Sequence, residues 1–151
     1  MAVGDIKRMS EFDKKKGEGA YNLSTDVLKW VFITEGIGAI DANATAIGIA
    51  NFTKVASAGN YTQDSSLTSV TWTRSAGVTK LDFADVSFAA DGANPTTGKC
   101  VAVYDDTSTN KDVIAVIDIT ADGGTTAANT TLGFNWTVNA GGLITDTSNP
   151  V

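Results

Sequence analysis

KCVAVYDDTSTNKDVIAVIDI, residues 99–119, contains two apolar runs that are separated by a short polar insert. The apolar runs are rich in β-branched residues, which favour strands. The insert consists mainly of Asp, Asn, Ser and Thr, which favour turns because their side chains hydrogen-bond to nearby backbone groups. The stretch therefore predicts a hairpin of two apolar strands joined by a polar turn.

The polar insert also contains oxygen ligands of the kind that a hard cation such as calcium prefers, and the candidates are Asp105, Asp106 and Asp112. The spacing and the glycine of an EF-hand are missing. Turn formation explains the same residues without any ligand. We therefore predict no metal site and no cofactor, and keep these three aspartates as the weak alternative.

Length and composition predict one globular domain. The chain has 151 residues, of which 42% are hydrophobic and 19% charged. A chain of this size buries enough surface to fold without a disulfide or a metal. No apolar run approaches the ~20 residues of a membrane-spanning helix, and no secretory leader pattern is present, so we expect synthesis in a cytosol and no membrane partner.

Two residue types limit the available chemistry. Histidine is absent, which excludes Ser-His-Asp and Cys-His catalysis and histidine-based zinc sites. Cys100 is the only cysteine, and its apolar neighbours predict a buried, unreactive thiol. We therefore predict that the protein is not an enzyme.

Charge is unevenly distributed along the chain. The net charge is −6, and all of it arises after Glu35, where the acidic residues are all aspartates. Nucleic-acid binding requires a basic face that neutralises phosphates. The acidic body therefore predicts that nucleic acid is not a partner.

The first 19 residues predict a short helix or ordered arm in front of a single β-domain over residues 20–151. Apolar residues recur every three positions and end before Gly17 and Gly19, while three lysines follow the apolar stripe. The stripe is too short to form a stable helix alone, so it needs a surface to lie on. That surface is either the chain's own sheet or a neighbouring subunit. In the second case the partner-binding residues are Ile6, Met9, Phe12, Lys14, Lys15 and Lys16.

Further strands are predicted along the rest of the chain. A run from Asp26 is apolar on both faces and suits a central strand, whereas residues 35–51 suggest a long loop with one short strand. Residues 67–88 predict a hairpin around Ser75-Ala76-Gly77, and residues 131–138 alternate with Leu132, Phe134, Trp136 and Val138 on the apolar face. Roughly eight short strands predict an all-β fold, an antiparallel β-sandwich or barrel.

Two further groups of residues could indicate carbohydrate binding or cleavage. Asp82, Asp85 and Asp91 lie close together in sequence, and a glycosidase uses two carboxyl groups across a cleft. Trp30, Trp72 and Trp136 have the ring faces on which a carbohydrate-binding module stacks sugars. Solvated carboxylates and core tryptophans explain these residues equally simply, and we prefer that interpretation.

Several stretches, taken together, resemble a family of small virion proteins of tailed bacteriophages. In that family a short N-terminal helix leads into a strand, a turn of the type GNGYT follows, and a hairpin of the type AVLYDDT precedes the last strand. The corresponding stretches are YNLSTDVLKWVFIT (21–34), IANFTKVASAGNYT (49–62), LDFADVSFAADG (81–92), CVAVYDDTSTNKDVIAVID (100–118) and GFNWTV (133–138). The chain departs from the pattern in its Gly/Ala segment from Gly36 to Ala50 and in NYT in place of GYT.

The resemblance implies a structural component of the virion, in particular a decoration or cement protein that binds and stabilises the lattice of the major capsid protein. It implies a homo-oligomer that is made in the host bacterial cytoplasm and resides on the capsid surface. A neck or tail subunit, such as a tube or connector protein, is the alternative within the virion. A carbohydrate-binding module or glycosidase is the alternative outside it.

Overall fold

A computed structural model describes residues 5–120, 122–138 and 142–147 of the chain. These residues form ten strands, one α-helix, α1 (Ser10–Gly17), and two 3-10 turns at Ile37–Ala39 and Ile49–Asn51. The strands are β1 (Ile6–Arg8), β2 (Leu28–Ile33), β3 (Ser65–Ser66), β4 (Thr71–Ser75), β5 (Val78–Asp82), β6 (Val86–Phe88), β7 (Cys100–Asp105), β8 (Val113–Asp118), β9 (Phe134–Trp136) and β10 (Ile144–Thr147).

The largest sheet has five antiparallel strands in the order β1-β8-β7-β2-β3. Strands β7 and β8 form the predicted hairpin, and every residue of both strands is buried. The register shifts between Val103 and Tyr104, which forms a β-bulge. The predicted all-β class and this hairpin are confirmed, although the strand expected at the centre, β2, lies beside the central strand β7.

Both faces of the five-stranded sheet are covered. On one face Trp30 and Phe32 pack against Phe134, which belongs to a two-stranded ribbon of β6 and β9. A three-stranded sheet in the order β10-β5-β4 is joined to β1 by the Arg8–Asp146 ion pair. On the opposite face the Lys7 ammonium donates to a carbonyl oxygen of the segment between β2 and β3. The strands thus form three sheets, and whether they make a sandwich or a barrel stays a prediction.

The β4–β5 hairpin matches its prediction. Its two-residue turn, Ala76-Gly77, has φ angles of 48° and 80°, as the type I′ turn favoured in tight hairpins requires. Leu81 of β5 is fully buried, whereas Thr71 and Thr73 on the other face of β4 are exposed. The hairpin therefore has one wet face, whereas Leu81 and the half-buried Trp72 lie on the other.

The N-terminal segment belongs to the same core as the rest of the chain. Strand β1 pairs with β8, and the backbone N–H of Met9 donates to Ile114. Met9 and Phe12 are 1% and 0% exposed, and the Phe12 ring stacks on Tyr21 with its centroid 5.0 Å away. The apolar stripe thus lies on the chain's own sheet, which is one of the two predicted surfaces.

Two strand predictions are wrong. The predicted loop, residues 35–51, contains the two 3-10 turns and no strand. Ile37, Ile47 and Ile49 reach the core from this loop. The alternating run 131–138 forms a strand only over Phe134–Trp136, and Leu132 is 86% exposed. Gly133, with a φ of 93°, ends the alternation, because the backbone turns there.

Candidate functional site

The three aspartates of the β7–β8 turn have separate partners. Asp105 caps the turn, since its Oδ1 accepts the backbone N–H groups of Thr107 at 2.8 Å and Ser108 at 3.2 Å. Its Oδ2 is buried and accepts no hydrogen bond from the residues that the structure describes. The pKa of the Asp105 carboxyl is raised to about 6. Burial is the main cause and the nearby Asp26 carboxyl adds to it, whereas the hydrogen bonds from the turn N–H groups act in the opposite direction.

Asp106 and Asp112 are held by cations. The Asp106 carboxylate binds the ammonium groups of Lys111 at 2.5 Å and Lys29 at 2.9 Å, which lowers its pKa. Asp112, only 4% exposed, accepts from Lys15 at 2.9 Å and from the Tyr21 hydroxyl at 2.7 Å. Within the described residues, no three His, Cys, Asp or Glu side chains are arranged to hold a metal ion. Of the three carboxylates, Asp105 caps the turn, whereas Asp106 and Asp112 are held by ion pairs.

The residues predicted to bind a partner divide into two groups. Met9 and Phe12 lie in the core, and Lys15 and Lys16 form ion pairs with Asp112 and Asp146 of their own chain. These four are therefore not available to a partner in this structure, because intrachain contacts occupy them. The exposed members of the predicted set are Ile6, 48% exposed, and Lys14, whose side chain is 63% exposed.

The residues considered for sugar chemistry lie in structural positions. Asp85 and Asp91 accept backbone N–H groups of Val138 and Ala93, and Asp82 pairs with Lys80. Trp30 and Trp136 are buried at 5% and 4% exposure. Trp72 is half-buried, and the Lys16 ammonium lies 5.4 Å from its ring centroid.

An open groove lies between two strand edges. Strand β3 is the last strand of the large sheet, and β6 is hydrogen-bonded to β9. The cleft between β3 and β6 has a volume of about 210 Å³. We call it the edge groove, and it is lined by Trp30, Asn60, Thr62, Ser65, Ser66, Leu67, Thr68, Ala84, Asp85, Val86, Ser87 and Phe88.

Hydrogen bonds close both ends of the edge groove. At one end the backbone N–H of Ala84 donates to Thr68 at 2.9 Å. At the other end the side-chain amide of Asn60 donates to the carbonyl oxygen of Ala89 at 3.3 Å. The backbone N–H of Asn60 donates to Oδ1 of the buried Asn94. The walls are thus fixed relative to each other, so the groove is preformed.

The edge groove is lined mainly by uncharged polar groups, and Asp85 contributes one carboxylate. Hydroxyl and amide groups line it, together with the aromatic rings of Trp30 and Phe88. Asp85 is exposed at the rim. Because an edge strand leaves one side of its backbone unpaired, the walls also present peptide N–H and C=O groups. Such a surface suits an extended polypeptide segment.

Sequence reasoning did not identify the edge groove. The signal was the hydroxyl-rich stretch 62–69 beside the short run 84–88, but a sequence does not show that two distant edges face each other. It also missed the contact of Asp112 with Lys15 and Tyr21, which are 97 and 91 residues from Asp112 in the sequence. This contact joins the N-terminal segment to the β7–β8 turn. Burial and the Asp112 carboxylate raise the pKa of the Tyr21 hydroxyl well above its usual range.

Comparisons with protein-family models, with curated proteins and with solved structures give no match for this chain. No helix in the described ranges is long and apolar enough to cross a membrane.

Cys100 is fully buried, and burial raises the pKa of its thiol to about 12.

Proposed function

We propose that this chain is a structural protein of a tailed-bacteriophage virion, a decoration or cement protein that binds the major capsid protein lattice. The observation that carries the proposal is where the resembling stretches lie. They contain β2, the β5–β6 segment, the complete β7–β8 hairpin and β9, which together form most of the buried framework. The resemblance therefore concerns the scaffold of the fold.

The use of the charged groups supports a role without catalysis or a cofactor. Two of the turn carboxylates, Asp106 and Asp112, are neutralised by Lys29, Lys111 and Lys15 in intrachain pairs. A structural protein uses charge in this way to stay folded and soluble until assembly. On this proposal the chain is made in the host bacterial cytoplasm and functions on the capsid surface.

The edge groove supplies a contact surface for this role. Its polar walls and single carboxylate suit an extended capsid-protein segment that carries a basic residue opposite Asp85. Where several contacts attach the protein to the lattice at once, overall binding is stronger than any single contact, because multivalent attachment strengthens weak individual sites. We assign the capsid contact to this groove.

The test uses capsids from a phage that lacks the gene for this chain. The purified protein is added, free protein is removed by sedimentation, and the particles are imaged by cryo-electron microscopy. We expect density at positions that repeat with the capsid lattice. Density restricted to the neck or tail would replace the decoration role with a connector or tube role, and absence of binding to any part of the particle would refute the virion proposal.

A matched pair of variants tests the groove. Ser87→Trp places a large side chain in the groove, and we expect capsid binding to fall at least about tenfold because the segment is excluded sterically. Thr96→Trp adds the same side chain at an exposed loop position that does not line the groove. Equal binding by both variants would assign the capsid contact to another surface.

A further inference from the structure

The outer edge of β4 has features of a second interface. Strand β4 is the last strand of its sheet in the described chain, and its five residues are exposed except for the half-buried Trp72. Its sequence, TWTRS, is rich in strand-forming residues and contains no proline. An exposed strand edge of this kind is a template for pairing with another strand.

The turn geometry determines which backbone groups point outward. In a hairpin with a two-residue turn the flanking residues, Ser75 and Val78, form a hydrogen-bonded pair, and such pairs alternate along the ladder. Thr71, Thr73 and Ser75 therefore bond inward to β5. The N–H and C=O groups of Trp72 and Arg74 point to the open side.

Arg74 has no ion pair or hydrogen bond within the described part of the chain, whereas β4 belongs to a strongly acidic body. It shares a strand face with Trp72, because side chains two residues apart point the same way. An unpaired guanidinium beside a partly exposed indole has the elements of a cation–π contact. Within the described chain the cation over the Trp72 ring is Lys16, not Arg74. A second copy of the strand brings Arg74 and Trp72 opposite each other.

We propose that β4 pairs antiparallel with β4 of a second copy, centred on Thr73, so that the two three-stranded sheets become one six-stranded sheet. In this register Trp72 lies opposite Arg74 of the other copy, twice by symmetry. All four outward backbone groups of each strand are paired. Centring on Arg74 instead would place two guanidinium groups opposite each other, and centring on Trp72 would leave Arg74 without an aromatic partner.

The pairing is self-complementary, as a two-fold interface requires. A charge on an edge strand usually prevents association, but here the guanidinium meets an aromatic ring rather than another charge. Lys16, already over Trp72, is neutralised by Asp146 at 2.6 Å, so it does not repel the incoming Arg74. The inference concerns the purified chain and is independent of the virion role.

Cysteine substitution tests the register. Thr73 faces its own symmetry mate in a non-hydrogen-bonded pair, in which the Cα atoms lie about 4.5 Å apart, within the range of roughly 4.4–6.8 Å for a disulfide. We expect Thr73→Cys to form a disulfide-linked dimer under mild oxidation. Ser75→Cys is the matched control, since the two copies of residue 75 lie four residues out of register, roughly 13 Å apart. Native Cys100 is buried and does not compete.

Sedimentation equilibrium tests the side chains. We expect the native chain to dimerise reversibly and Arg74→Ala to weaken the dimer at least about tenfold, because two cation–π contacts are lost. Lys14→Ala removes an exposed positive charge elsewhere and should leave dimerisation unchanged. The proposal is overturned if the native chain stays monomeric at all concentrations, if Ser75→Cys cross-links as readily as Thr73→Cys, or if Arg74→Ala dimerises like the native chain.

Discussion

The two hairpins of this protein differ in both sequence and surroundings. In the β7–β8 hairpin every strand residue is buried, and the turn is fixed by the side chains of Asp105 and Ser108. In the β4–β5 hairpin one face is wet, and the turn depends on the backbone conformation of Ala76 and Gly77. The comparison teaches that a hairpin's local sequence fixes its turn, while its place in the fold fixes how much its side chains contribute.

The largest difference is expected for aromatic truncation. Phe32, on the strand that pairs with β7, is fully buried and contacts the rings of Tyr61 and Phe134, so Phe32→Ala should lower the free energy of unfolding by about 3–5 kcal/mol. Trp72→Ala, on β4, should cost less, because Trp72 is half-buried. Urea unfolding measures both. An equal loss would mean that the two sheets are equally important to the core.

The turn of the buried hairpin gives the next largest effect. Asp105→Ala leaves two N–H groups of the turn without an acceptor and should cost about 1–3 kcal/mol. Asp105→Asn keeps an acceptor oxygen and removes a buried charge, so it should retain most of the stability at pH 7. A larger loss for Asn than for Ala would contradict the capping role.

Asp105 also makes a prediction for pH. Its folded pKa, about 6, lies above the ordinary value, so the folded state holds the proton more tightly than the unfolded state. Stability from this group therefore decreases as pH rises from about 4 to about 6. Asp105→Asn should therefore weaken the dependence of the melting temperature on pH between about pH 4 and pH 6. If the melting temperature of the variant depends on pH as that of the native chain does, the dependence belongs to another group.

A smaller effect is expected where the β4–β5 sheet joins the N-terminus. Hydrogen bonding to Arg8 is the main cause that lowers the pKa of Asp146 to about 2, and Lys16 contributes. A lowered folded pKa gives stability that is present above the unfolded pKa and is lost as pH falls from about 4 through about 2. The pair is partly exposed, so Asp146→Asn should cost about 1 kcal/mol or less at pH 7. Acid unfolding of the variant, compared with the native chain, measures it.

The smallest effect is expected on the wet face of the exposed hairpin. Thr71→Val keeps the strand-forming shape and exchanges a hydroxyl for a methyl at an exposed position, so stability should change by less than about 0.5 kcal/mol. Urea unfolding at low protein concentration measures it. A gain above about 1 kcal/mol would show that the methyl group is buried and that this face is not wet.

The sequence predicted most of the sheet but little of the candidate site. Strands β2, β4, β5, β7 and β8 follow from β-branched runs and turn residues, which are local signals. Leu132 was misplaced because alternation alone does not show where a backbone turn ends a strand. The edge groove was missed because its walls, at 65–66 and 84–88, are joined through contacts that depend on the complete fold.

By itself the sequence determined the all-β class, the two hairpins, the absence of histidine chemistry and the acidic character of the body, because these depend on residue types and short-range spacing. Only the tertiary structure decided that Met9 and Phe12 belong to the core, that Asp105, Asp106 and Asp112 have three different sets of partners, and that β3 and β6 flank a groove. The physical reason is that burial and charge pairing are set by which segments meet in space, and a strand pattern specifies its own faces but not what covers them.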